Sequence, residues 1–234
     1  MLQACLNGTR RAGEHPRLPL TAEQVAIDAV AVQAAGADAI HVHAKNLQGK
    51  DTLTAGPLDA LLRAVRAAAP GLPVGVTTGA WAQPITDARV ALIESWREVP
   101  DYASVNWHEA GAERVAASLL DRGIGVEAGL WSPQDVAAWL RWGRRGECLR
   151  VLLELPDADA VVTSRLTAYL LGELAAADNR RPILLHGEGR STWPALHLAR
   201  ERGLDARIGL EDTLTLPDGA PAPDNASLVA AALS

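Results

Sequence analysis

Short apolar runs alternate along this chain with longer segments that are rich in alanine, leucine, arginine and glutamate. The short runs have the length and composition of buried strands, and the longer segments have those of helices. The predicted strands span residues 2–7, 38–43, 73–77, 102–105, 124–128, 149–154, 182–186 and 206–210.

The segments between the strands carry residues that typically begin helices. Thr21 is a favourable N-cap with Glu23 or Gln24 in the first turn, and Ser132 followed by Pro133 begins another helix. The predicted helices span residues 21–35, 57–69, 86–97, 111–122, 132–142, 160–176, 193–202 and 225–233.

The order of these elements predicts the fold. The strand–helix units follow one another roughly 25 to 30 residues apart, as βα units with parallel strands do. Eight such units in a chain of 234 residues favour an α/β fold of the TIM (β/α)8 barrel type over a doubly wound sheet. No linker or low-complexity tract interrupts them, so we predict a single domain over residues 1–234.

Composition narrows the functional classes. A net charge of −6 argues against a general nucleic-acid binder, and no apolar run reaches the ~20 residues that span a bilayer. The first residues lack the basic region of a signal peptide. Cys5 and Cys148 match no metal-binding or redox spacing, so a reducing, cytoplasmic setting is expected.

The second predicted strand carries two histidines, His41 and His43, two residues apart. Alternate residues of a strand point to the same face, so the two imidazoles lie side by side. Such a pair is half of a metal site, and imidazole suits Zn, Fe, Ni or Cu better than Mg or Ca. The alternative is one buried histidine with a protein partner beside one surface histidine.

Polar residues also follow the other strands, and a TIM barrel acts at the carboxyl ends of its strands. Glu211 and Asp212 end the last strand and point different ways, so one could bind metal while the other faces substrate. Two histidines and one carboxylate leave open positions on a metal, as Lewis-acid catalysis requires. The alternative for the two acids is a solvated loop pair.

Seven motifs resemble a known family, in order along nearly the whole chain: NGTRR, IHVHAK, TTGAW, ASVNWHEAG, GVEAGLW, LLHGEGRSTWP and RIGLEDTL. They resemble the β-keto acid cleavage enzymes, the family of the 3-keto-5-aminohexanoate cleavage enzyme. The resemblance implies a TIM barrel with a divalent metal, usually zinc, on His41, His43 and Glu211. It also implies a Claisen-type exchange, in which a small β-keto acid and acetyl-CoA give acetoacetate and a new acyl-CoA. A homo-oligomer, a tetramer or dimer, is implied as well.

The resemblance also implies catalytic roles. Asp212 matches the base that removes the acetyl α-proton, and Arg207 matches the arginine that orients this carboxylate. Thr77 matches a hydroxyl residue that helps the base and the substrate. Glu127 lies in the fifth-strand segment that supplies a further acid, with Gly129 as the alternative position.

A second set of residues is expected to bind substrate. Arg10 stands where described members carry a glutamate that contacts the distal group of the keto acid, so a neutral or anionic distal group is expected. The predicted substrate-binding residues are Asn7, Arg10, Gly79, Ser104, Asn106 and His108.

Two other functions remain open. The segment after the sixth strand is short, LPDADA, where longer members carry a glycine-rich segment. This favours a metal-dependent aldolase or lyase that uses no CoA. A barrel that binds a metal or ligand without turnover is the other alternative, although such a protein needs no catalytic base.

Overall fold

Eight parallel strands form a closed barrel in the computed structural model, which describes residues 1–234. Each strand pairs with the next along the chain, and the last pairs with the first. The predicted TIM barrel is therefore confirmed. The strands are β1 (Leu2–Cys5), β2 (Ala39–Val42), β3 (Val74–Thr77), β4 (Tyr102–Asn106), β5 (Gly125–Leu130), β6 (Arg150–Leu155), β7 (Ile183–Gly187) and β8 (Asp205–Ile208).

A helix follows every strand and covers the outside of the barrel. Thr21 caps the first helix in a reciprocal pair with Gln24, and Ser132 accepts a hydrogen bond from the Asp135 amide at the start of the fifth. The helices are α1 (Ala22–Ala34), α2 (Ala55–Ala68), α3 (Thr86–Glu94), α4 (Ala112–Asp121), α5 (Pro133–Arg141), α6 (Ala160–Ala176), α7 (Thr192–Glu201) and α8 (Asn225–Leu233). None of them is both long and apolar enough to cross a bilayer.

The two faces of the strands differ in character. Residues such as Ile40, Val76 and Leu153 point outward and join a cluster of 53 buried apolar residues between the barrel and its helices. Their neighbours His41 and Thr77 point inward. The strand period of two thus separates an apolar helix-facing layer from a polar lumen.

The floor of the lumen is a hydrogen-bonded polar group. The Gln3 amide donates to the Tyr102 hydroxyl at 3.0 Å and to the Glu127 carboxylate at 2.9 Å. The Arg150 Nε lies 3.0 Å from the same Glu127 oxygen. Because bulky branched side chains usually fill a TIM barrel, this lumen is unusually polar.

Gly209, the residue after β8, lies very close to β1. A Cβ atom at this position would lie 1.8 Å from the Cys5 carbonyl oxygen. Only glycine fits there, and the turn that follows holds the Asp212 amide on the Gly209 carbonyl at 2.9 Å. This contact sets the direction in which the chain leaves the barrel toward Glu211.

Candidate metal centre

His41, His43 and Glu211 meet at the carboxyl end of the barrel. One ligand atom from each lies within 4.8 Å of the others. The two imidazoles are edge-on, 5.4 Å apart between ring centroids, and the Nε2 of His43 lies 3.5 Å from Glu211 Oε1. His41 lies in β2, His43 directly follows β2, and Glu211 follows β8. Both strands flank β1.

The charge states of His41 and Glu211 suit a metal. Burial, with the nearby Arg207, lowers the pKa of His41 well below its ordinary value, so the ring is neutral. Burial alone would raise the pKa of Glu211, but Arg207 and His43 outweigh it and hold that pKa well below its ordinary value. Nδ1 of His41 and Oε2 of Glu211 are buried and have no hydrogen-bond partner. A neutral imidazole and an ionised carboxylate are the forms that bind a divalent cation.

Asp51 orients the second histidine. Its carboxylate lies 2.8 Å from His43 Nδ1 and also accepts from Lys45 Nζ at 2.5 Å and from the Trp81 indole at 2.7 Å. Burial lowers the pKa of His43, but the carboxylates of Glu211 and Asp51 outweigh it and raise that pKa. With Nδ1 engaged by Asp51, Nε2 faces Glu211 as a ligand. Such an outer carboxylate fixes the ring and raises its basicity.

We expect Asp51→Asn to weaken divalent-metal affinity by about 10- to 100-fold, because the outer partner of a ligating histidine typically contributes that much. Competition titration of zinc against a chromogenic chelator measures the change. The exposed Asp87, paired only with Arg114 on the surface, supplies the matched control Asp87→Asn. Equal affinities for the two variants would show that Asp51 does not support the metal.

A cavity of about 150 Å³ opens beside these ligands. This volume is below the range of drug-sized sites and suits a short organic acid. Twelve residues line it: Thr9, His41, His43, Thr77, Trp81, Ser104, Asn106, Trp131, Glu154, Glu188, Arg207 and Glu211. The predicted Thr77, Ser104, Asn106 and Arg207 are among them.

Asp212 lies one layer behind the cavity wall. Its Oδ2 accepts from the Cys5 thiol at 2.7 Å, and its Oδ1 lies 3.4 Å from His186 Nδ1 and 3.8 Å from the Arg207 guanidinium. Burial and the Asp212 carboxylate raise the pKa of Cys5 well above its ordinary value, so the thiol stays protonated and donates. Arg207 also contacts Glu211 and so joins the two neighbouring acids.

Comparison with known proteins identifies the family. A family model described as beta-keto acid cleavage enzyme matches residues 1–234, the whole chain. The chain belongs to this family. The 3-keto-5-aminohexanoate cleavage enzyme of Acetoanaerobium sticklandii is 20% identical over 249 aligned residues, which cover 98% of this chain and 88% of the relative.

Solved structures share the fold of this β-keto acid cleavage family member. A ternary complex of ObcA with C4-CoA adduct and oxalate matches with a TM-score of 0.73 and 16% identity over 92% of this chain. A binary complex of ObcA with oxaloacetate matches with a TM-score of 0.71 and 17% identity over the same share. In both comparisons the chain spans 62% of the ObcA chain.

Asn7, at the end of the first predicted strand, and Arg10, in the loop after it, do not line the cavity. Arg10 is turned away, because its Nε donates to the Leu210 carbonyl and its Nη1 lies 3.3 Å from Glu14. Asn7 is fully buried and bonds both the amide and the carbonyl of His43, at 2.9 and 3.0 Å. Arg10 and Asn7 therefore do not line this cavity, and Asn7 holds the β2 end in place, while their substrate contacts stay a prediction.

Three further predicted site residues also lie outside the cavity wall. Glu127 is on the lumen floor with Arg150, where burial raises its pKa, so its position gives no support for a catalytic role. Gly79 makes room for Trp81, whose ring would lie 2.2 Å from a Cβ at that position. His108 is exposed and edge-on to Trp131, 5.8 Å away between centroids.

Five cavity residues were not predicted as site residues: Thr9, Trp81, Trp131, Glu154 and Glu188. The two tryptophans end the motifs TTGAW and GVEAGLW, Glu154 ends the predicted sixth strand and Glu188 follows the seventh. Their positions at strand ends were the signal that could have identified them. Burial, with neighbouring carboxylates, raises the pKa of Glu188 to about 7. The cavity therefore contains more acid groups than the predicted set.

Proposed function

We propose that this chain exchanges a small β-keto acid with acetyl-CoA, giving acetoacetate and a new acyl-CoA, and that zinc on His41, His43 and Glu211 is its cofactor. The observation that carries the proposal is the convergence of these three ligands on the wall of a small cavity beside a buried arginine. Membership of the β-keto acid cleavage family supports the reaction class. The ObcA complex with a C4-CoA adduct and oxalate supports a short acid and a CoA compound as ligands of this chain.

The metal, when bound, supplies Lewis-acid polarisation of the keto group. The protein supplies binding and orientation. The Arg207 guanidinium, 3% exposed, provides a desolvated charge for a substrate carboxylate. The hydroxyls of Thr77 and Ser104 and the amide of Asn106 line the same wall and offer short-range hydrogen bonds.

The reaction requires one α-proton to leave carbon and later to return to it. The α-carbon of the keto acid loses this proton and bonds to the acetyl carbonyl carbon, which releases CoA as a thiolate. The bond between that α-carbon and the former keto carbon then breaks, and CoA takes the acyl part as the new thioester. We propose Asp212 as the carboxylate that holds the proton, with Arg207 beside it. A positioned carboxylate typically accelerates such a proton transfer by about 10²–10⁴-fold.

A lyase or aldolase that uses no CoA is the second candidate. The connection from β6 to α6 consists only of residues 156–159, which leaves little chain to build a nucleotide-binding wall.

We also propose that the protein works as a homo-oligomer in the cytoplasm, where its two free, buried thiols would remain reduced.

The test is turnover of short β-keto acids by the zinc-loaded protein, with and without acetyl-CoA. Acetoacetate formation that requires acetyl-CoA is expected, and Asp212→Asn is expected to lose it at least 100-fold while the zinc content is unchanged. Cleavage without acetyl-CoA would favour the lyase. A zinc-loaded protein that turns over no acid in either assay would be a binding barrel.

A further inference from the structure

We infer that Glu154 is a further catalytic residue, the carboxylate that meets the substrate, and that His186 is the positioning residue that links it to Asp212. The inference deepens the proposed function and rests on it. It starts from a geometric difficulty. The proposed base, Asp212, is enclosed by Cys5, His186 and Arg207 and does not line the cavity, whereas Glu154 does.

Glu154 and His186 connect the cavity wall to Asp212. Glu154 Oε2 lies 3.2 Å from His186 Nε2, and the other ring nitrogen, Nδ1, lies 3.4 Å from Asp212 Oδ1. The side chain of His186 is fully buried between the two carboxylates. A continuous carboxyl–imidazole–carboxyl line thus runs from the cavity wall to Asp212.

The free oxygen of Glu154 faces the space left by a glycine. A Cβ atom on Gly129 of β5 would lie 2.6 Å from Glu154 Oε1 and 2.7 Å from the side-chain oxygen of Asn106, another cavity residue. Any larger residue at position 129 would displace this carboxyl group. No protein hydrogen bond occupies Oε1, so it is available to a substrate.

The charges support the same arrangement. Burial and Arg207 lower the pKa of His186, but the carboxylates of Asp212 and Glu154 outweigh them and raise it to about 9. The ring is therefore an imidazolium whose Nε2 donates to Glu154 and whose Nδ1 lies 3.4 Å from Asp212 Oδ1. Glu188 also lines the cavity, but its side chain has no hydrogen bond that links it to Asp212. Contact with His186 therefore selects Glu154.

The proton transfer balances without another reactant. The substrate α-carbon keeps the electron pair of its C–H bond, and the proton moves to Glu154. Once Glu154 is neutral, the His186 imidazolium gives its Nδ1 proton to Asp212 and keeps its Nε2 proton, which stays hydrogen-bonded to Glu154. The reverse sequence returns the proton to the product carbon, and the imidazolium is restored after each transfer.

The experiment measures deuterium exchange into the α-position of acetyl-CoA and of a short β-keto acid by NMR, together with turnover and zinc content. Glu154→Gln keeps the volume of the side chain, and we expect at least a 100-fold loss of kcat and of enzyme-catalysed exchange, with KM and zinc little changed. His186→Gln is expected to lower kcat and the exchange rate in parallel. The exposed Glu173 supplies the control, Glu173→Gln, which should match the wild type.

Moving the carboxylate from position 154 to position 129 tests whether its place in the cavity is what matters. An aspartate at 129 would place its oxygens where the Glu154 carboxyl now lies, so Gly129→Asp combined with Glu154→Ala is expected to recover at least tenfold over Glu154→Ala alone. Unchanged exchange in Glu154→Gln, or a zinc-loaded double variant without recovery, would overturn this inference alone. A wild-type protein that neither exchanges deuterium nor forms acetoacetate would overturn the proposed function and this inference together.

Discussion

Replacing His41 by alanine is expected to remove the bound metal and to lower turnover by about 1,000-fold. His41 is one of only three grouped ligands, and its buried Nδ1 has no other partner in the protein. Losing the Lewis acid removes several kcal/mol of transition-state stabilisation, which corresponds to about this factor. Elemental analysis of the purified protein gives the metal content, and the exchange assay gives the rate.

His197 provides the matched control because it is an exposed histidine on α7. His197→Ala should keep about one metal per chain and the full rate. If the His41→Ala protein still carried stoichiometric zinc, the assignment of the metal to this site would be wrong.

Replacing Gly209 by alanine is expected to destabilise the fold by at least about 3 kcal/mol, or to prevent the barrel from closing. The added Cβ would lie 1.8 Å from the Cys5 carbonyl oxygen and 2.6 Å from its carbonyl carbon. These are backbone atoms of β1, which β2 and β8 hold from both sides, so the clash cannot be relieved by a rotamer change. Urea unfolding followed by far-UV circular dichroism measures the change.

Gly172 gives the opposite control. It lies within α6, and no atom lies within 4 Å of the position its Cβ would occupy. Gly172→Ala should therefore raise the free energy of unfolding by about 0.5–1 kcal/mol, because alanine favours the helix. A Gly209→Ala protein within 1 kcal/mol of the wild type would show that β1 and β8 can move apart.

The sequence predicted the barrel because the patterns that mark its strands and helices are local. Each strand is an apolar run, each helix begins with a recognisable cap, and the spacing of units permits few topologies. The strand-end rule also placed His41, His43 and the Glu211–Asp212 pair at one rim of the barrel, and the family resemblance selected Glu211 as the third ligand.

The height of a residue inside the barrel was harder to predict. The fifth strand was predicted to end at 128, whereas β5 extends to Leu130. This difference of two residues places Gly129 at the rim and Glu127 on the floor, where Glu127 pairs in register with Arg150 at the start of β6. Glu127 therefore lies below the rim rather than at the end of the strand.

Loop contacts could not be predicted at all. Asp51 reaches His43 and Trp81, and Arg10 bonds the Leu210 carbonyl 200 residues along the chain. No periodicity relates such pairs, because they depend on how loops fold over the barrel mouth. The position of Arg10 outside the cavity wall could not be predicted for this reason.

The alternation of the strands between an apolar outer face and a polar lumen makes this barrel a good starting point for redesign. A change at Thr77 or Glu154 alters the chemistry offered to a ligand and removes nothing from the helix-facing layer, to which their neighbours Val76 and Leu153 belong. New substrate preferences can therefore be sought by varying every second strand residue near the mouth, while the intervening residues keep the scaffold assembled.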